Sequence, residues 1–147
     1  MQSSYKSLAL MMAINFLIMF ALNYAMVSSS AHIYLNVNYL YMTLMMLAPM
    51  LILMLLVMAS MYRNKKLNYA LHGIGLVVFA SAFAFGRAQS FVGKAQFLRS
   101  MIPHHSSAIL MCEKSAVSDP DITKLCGEIV ESQKREIAEM KNILDRM

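Results

Sequence analysis

The sequence predicts an all-α protein in which three transmembrane helices precede an extramembrane antiparallel helical hairpin. Three observations predict it. Hydrophobic residues make up 59% of the chain and charged residues 14%, too apolar a balance for an ordinary soluble domain. Charge is segregated, with no Asp, Glu, Lys or Arg in residues 7–62 and all eight acidic residues between Glu113 and Asp145. From Lys94 onward the apolar residues recur at helical spacing, with one turn signal in the middle.

The membrane part is read as residues 1–87, with spans at about 8–27, 39–62 and 67–86. Asn15 and Asn23 interrupt the first span and can hydrogen-bond to neighbouring helices. Ser29-Ser30-Ala31 resembles a signal-peptide cleavage site, but the apolar run is longer than a usual signal core, which favours a retained helix. Pro49 should kink the second span or open one of its backbone bonds. Met42, Met46, Met50, Met54 and Met58 form a stripe along it, either flexible apolar packing or a metal-conducting track. The third span is rich in small residues, and Ala82 with Gly86 makes a small-xxx-small pair suited to close helix contact.

Orientation follows from the loops. Residues 28–38 hold no Lys or Arg, whereas Arg63, Lys65 and Lys66 cluster in the next loop. The positive-inside rule puts that second loop and the N-terminus in the cytoplasm, and residues 88–147 outside it. The tail's basic and acidic residues cancel, so the net charge of +5 rests on Lys6, Arg63, Lys65, Lys66 and Arg87. These flank apolar runs, which points to a lipid bilayer as partner and away from nucleic acid.

In the tail, a first helix should run from Lys94 to about Val117, with Met101, His105, Ala108 and Cys112 on one face and His104 and Met111 on its shoulder. Pro103 should bend it locally. Asp119 reads as an N-cap and Pro120 as the first position of a second helix. Its inner face is Ile122, Cys126, Ile129, Gln133, Ile137, Met140 and Leu144. A short turn folds the two helices antiparallel, bringing Gln133, Glu136 and Met140 to the depth of the histidines. Cys112 and Cys126 then stand at nearly equal levels, as a disulfide, as two free thiols or as extra soft ligands. A single hairpin buries little core, so a homodimer or higher homo-oligomer is expected.

Met101, His104, His105, Met111 and Met140 together offer thioether and imidazole donors, a set that suits Cu(I) or Ag(I) better than Mg, Ca or Mn. Gln133 and Glu136 are placed to hold a ligand histidine by its second ring nitrogen. The competing reading of the same residues is two core methionines and two surface histidines. His32 and His72 read as loop or interfacial residues. Neither a Glu-x-x-His pair nor a nucleophile with an organised base occurs, so no enzyme activity is expected.

The residues FLRSMIPHHSSAILM and LCGEIVESQKREIAEMKNIL carry a resemblance. Met101, His104, His105, Ala108 and Met111, followed by Ile129, Gln133, Glu136, Ile137 and Met140, resemble the two-part motif of the bacterial family catalogued as domain of unknown function 305. The resemblance implies a ferritin-like fold, of which one hairpin is half a four-helix bundle. It also implies copper or silver as the bound metal, with no organic cofactor, and a role in copper sequestration, delivery or tolerance, with a copper-handling protein as a possible partner. A bacterial inner (plasma) membrane location with a periplasmic or extracellular tail follows. The alternative function is a structural membrane protein whose hairpins drive assembly without metal chemistry.

Overall fold

The computed structural model describes residues 2–147, with side chains from Ser4 onward. Five α-helices, α1 Gln2–Leu22, α2 Val37–Val57, α3 Lys65–Ala88, α4 Lys94–Lys114 and α5 Pro120–Leu144, are joined by turns, and no strand occurs among the described residues. They divide into two compact units.

The first unit holds residues 1–23 and 38–91. Ser4–Leu22, Val37–Val57 and Lys65–Ala88 are each long and apolar enough to cross a membrane. Their outward faces are apolar as well: Leu10, Ile14, Leu17, Ile18 and Leu22 are all exposed on α1. A helix that is hydrophobic all round needs an apolar surrounding. The first and second helices end earlier than their apolar runs suggest. At the end of α1, Asn23 Nδ2 donates 2.9 Å to Thr43 Oγ1, so the chain turns there instead of continuing to Val27. At the end of α2, the chain turns at residues 58–61 instead of reaching Tyr62 as helix. Pro49 sits inside α2, which runs unbroken past it.

Small residues seat α3 as its composition suggests. Ala82 is buried, and a Cβ placed on Gly86 would stand 3.6 Å from Tyr41 Cβ. Gly75 is tighter still, since a Cβ there would meet Ile52 Cγ1 at 3.0 Å. Asn64 caps α3, accepting 3.1 Å from the Leu67 amide. Met42 and Met46 of α2 and Met58 in the turn after it are exposed, and Met54 packs against the buried Leu8, Leu55 and Tyr62. Most of the methionine stripe therefore faces outward from the unit as flexible apolar side chains.

The second unit joins residues 92–147 to the connection 24–37. Asp119 caps α5 with Pro120 in its first turn, as the sequence predicts. Contacts between α4 and α5 run in opposite chain senses: Cys112 is disulfide-bonded to Cys126, and His105 stands near Glu136. The core consists of Leu98, Ile102, Ile109, Ile137 and Met140, with Tyr34, Met101, Val130, Ile143 and Leu144 packed against it. Ile102 and Ile109 lie off the expected inner face because α4 is covered twice. One cover is α5, and the other is the connection, whose 3-10 turn Ser30–His32 contacts α4. Ile122, expected inside, is 45% exposed, because burial on α5 centres on Ile137 and Met140.

Two stability predictions follow from this packing. Gly75→Leu should destabilise the first unit by about 1–3 kcal/mol through overpacking, whereas Gly73→Leu, with nothing within 4 Å of its Cβ position, should be nearly neutral. Equal melting temperatures for the two variants would count against the α2–α3 packing. Replacing Cys112 and Cys126 by Ser opens a loop of sequence separation 14 and should cost the second unit about 2–4 kcal/mol, read as a lower denaturation midpoint.

Candidate metal centre

The centre begins with α4 passing through Pro103 without a break. Pro103 lacks an N–H, so one helix carbonyl loses its usual partner. A turn later, Ser107 Oγ donates 3.0 Å to the Pro103 carbonyl. His104 and His105 follow Pro103 directly and, being adjacent, point about 100° apart around the helix. His104 is exposed, while the His105 side chain is only 12% exposed. Their ring centroids are 5.9 Å apart and tilted by 58°.

His105 turns toward α5. Its Nδ1 is buried and lies 3.1 Å from Glu136 Oε2, off the line of a formal hydrogen bond. Burial holds the ring below its ordinary value; Glu136 opposes that shift and His104 adds to it. The net effect is a neutral imidazole with a lone pair to offer. One helical turn away on both helices lies a second layer, in which Met140 is buried and Met101 packs on the same cluster. Imidazole–carboxylate and thioether layers are thus stacked about 5–6 Å apart along the pair of helices.

The structure brings Met101, His105, Glu136 and Met140 into these two layers. It leaves Met111 56% exposed and outside the cluster, and His104 on the outer surface. Gln133 is half-buried one turn before Ile137, and among the described residues no side chain hydrogen-bonds to it. Cys112 and Cys126 are bridged, so they offer no thiolate. They line an open recess of about 530 Å³ with Val117, Ile122 and Val130, at the turn end of the helices rather than beside His105. Among the described residues no three His, Cys, Asp or Glu side chains converge. The donors present, imidazole and thioether beside one carboxylate, fit a soft monovalent ion.

One participant has no signal in the sequence. His32, from the connection, places Nδ1 2.8 Å from Ser106 Oγ. Ser106 also accepts from the Ser28 amide at 2.8 Å and meets Ser28 Oγ at 2.9 Å. A hydroxyl has one hydrogen and two lone pairs, so these three partners use all of its capacity. Ser106 is wholly buried, which makes the Ser106–His32 pair a clasp and not a nucleophile with its base. No sequence period links residues 74 positions apart.

The arrangement defines a class: an all-α protein with three helices able to cross a bilayer and a Met/His-bearing pair of helices. The chain belongs to the family described as Domain of unknown function (DUF305), whose model matches residues 85–144. It is 34% identical over 120 residues to a protein of Acanthamoeba polyphaga mimivirus described as "Uncharacterized protein L153", covering 80% of this chain and 77% of that protein. A match of that extent necessarily takes in α2 and α3 as well as α4, so the likeness is not confined to the tail. No solved structure matches.

Burial, and after it Lys141, hold His32 below its ordinary value of 6.5. A depressed folded value means that the unfolded chain binds the proton more readily, so stability rises with pH. The contribution is complete above about pH 6.5 and is lost as pH falls through the lowered folded value; His105 acts in the same direction. Denaturant titrations of the full chain on either side of that range should show lower stability in acid and a smaller drop for His32→Gln. Identical drops for wild type and variant would refute the assignment.

Proposed function

We propose that this protein is a membrane-anchored binder of a soft monovalent cation, Cu(I) or Ag(I), serving its sequestration, delivery or tolerance. The observation that carries the reading is His105, a largely buried, neutral imidazole with Nδ1 against Glu136 and two thioethers one turn away. With Nδ1 3.1 Å from the Glu136 carboxylate, Nε2 is left as the ligand nitrogen, as in carboxylate–histidine–metal arrangements. Met101 and Met140 would supply sulfur. His104 and Met111, being exposed, are available to an ion exchanging with solvent or with a partner protein. The bound ion would bring Lewis acidity and affinity for sulfur, and the chain's own groups orient and desolvate the site.

In this reading α4 and α5 form a helical hairpin, half of a ferritin-like four-helix bundle, and a second copy completes it. Exposed Met111, Val117, Ile122 and Leu125 favour such self-association, and they also support the alternative reading of a purely structural assembly protein. The topology has its own support. The connection 24–37 and the tail belong to one unit, as they must if α2 and α3 cross the bilayer and return. With Arg63, Lys65 and Lys66 cytoplasmic, that unit lies on the opposite side. That side is extracytoplasmic, and a relative of viral origin ties it to no particular bacterial compartment. No catalytic role is proposed.

The two readings separate on one set of variants. Met101→Leu with Met140→Leu should keep the fold, as volume-conserving swaps do, and should lose most of the affinity for Cu(I). Glu136→Gln should weaken binding about 10- to 100-fold, and His105→Gln should weaken it further. Competition titrations against a Cu(I) chelator measure all three. Wild-type affinity in every variant would leave only the assembly reading.

A further inference from the structure

The metal reading above concerns the second unit, whereas the first unit contains a buried imidazole that it does not use. His72 lies on α3, where its Nδ1 is 2.7 Å from the Asn68 carbonyl. A carbonyl only accepts, so in the neutral ring Nδ1 carries the hydrogen and Nε2 keeps its lone pair. Nε2 is buried and, among the described residues, has no hydrogen-bond partner. An unsatisfied polar atom in an apolar interior is costly and calls for an occupant. An ionisable residue inside an apolar helix is a candidate functional group.

The direction of His72 follows from its neighbours on the same stripe of α3. One turn before it, Asn68 accepts 2.8 Å from Tyr5 of α1. One turn after it, Gly75 is pressed against Ile52 of α2. Residues four and three positions apart share a helix face, so His72 lies on the stripe of α3 that meets α1 at Asn68 and α2 at Gly75. That interface is rich in sulfur. Leu71 packs into one cluster with Met11 and Met12 of α1 and Met54 of α2. Met12 and Gly75 also line an apolar recess of about 250 Å³. The three-helix unit thus contains an imidazole lone pair, thioethers on two helices one residue along α3 at Leu71, and a recess that opens one turn from His72 at Gly75. No acidic residue lies in α1, α2 or α3 to favour a hard cation.

We infer that His72 Nε2, with methionine thioethers from α1 and α2, holds a second soft monovalent cation inside the three-helix unit, separate from the centre on α4 and α5. The donor chemistry selects Cu(I) or Ag(I) over sodium, magnesium or zinc, since two of the three donor groups are neutral sulfur. The site deepens the metal reading but depends on none of its residues, so either can fail alone.

Silver titration of the full chain in detergent micelles tests it, with bound silver counted by native mass spectrometry. His72→Gln should bind one fewer silver ion per chain than wild type, and His72→Met should restore the ion. His105→Gln should also lose one ion, a different one, and the double variant should lose both. Unchanged silver in His72→Gln overturns the inference, whatever His105→Gln does. Should His72→Gln not fold, nitrogen-15 spectra of wild type decide: the His72 Nε2 resonance should shift on adding silver, and an unmoved resonance at saturation overturns the inference as well.

Discussion

The second unit depends on one buried hydroxyl. Ser106 is in the middle of α4 with no exposed surface, and a buried hydroxyl without partners costs about 1–3 kcal/mol. Ser28 and His32 remove that cost by bringing the connection between α1 and α2 onto the helix. Once clasped, the connection covers the second side of α4. Tyr34 joins the core, and its carbonyl accepts from Tyr24 Oη at 2.8 Å and Asn36 Nδ2 at 2.9 Å. Val37 donates to Gln96 at 3.1 Å. Two helices alone bury little, and the added strand of chain is what lets Ile102 and Ile109 become fully enclosed.

That double covering also sorts the two adjacent histidines. With Ser106 facing the connection, His105 faces α5 and His104 faces out. Burial keeps His105 neutral and Glu136 gives its ring a fixed direction. The pair therefore divides into an enclosed imidazole and an exposed one; in the proposed reading, that division suits an ion that is passed on instead of locked in. In the first unit, His72 Nε2 is buried with no hydrogen-bond partner among the described residues. Both units contain methionines in their apolar clusters, a side chain that fills space as a hydrophobe and can coordinate as a soft base.

Much of this was legible in the sequence. The absence of charge from residues 7–62 predicts helices that need lipid, because no polar face exists to meet water. Ala82 and Gly86 announce close packing of α3, and Asp119-Pro120 announces the start of α5. Met101, His105, Glu136 and Met140 reach one locality because α4 and α5 are amphipathic, regular and joined by a short turn, so levels can be counted from the turn. Met111 shows where counting falters: level and face together still do not say how far along the helices burial extends. Ile122 stays exposed for the same reason.

By itself, then, the sequence determined the helices, their approximate ends, the apolar spans and the levels at which Met101, His105, Glu136 and Met140 stand along α4 and α5, since these follow from periodicity and from short-range chain geometry. Only the tertiary structure decided which histidine turns inward, that Cys112 and Cys126 are bridged, that His32 clasps Ser106 and that His72 is enclosed without a partner. Those outcomes depend on contacts between residues far apart in the chain. Such contacts are set by which surfaces must be covered from two sides, and no local pattern records that requirement.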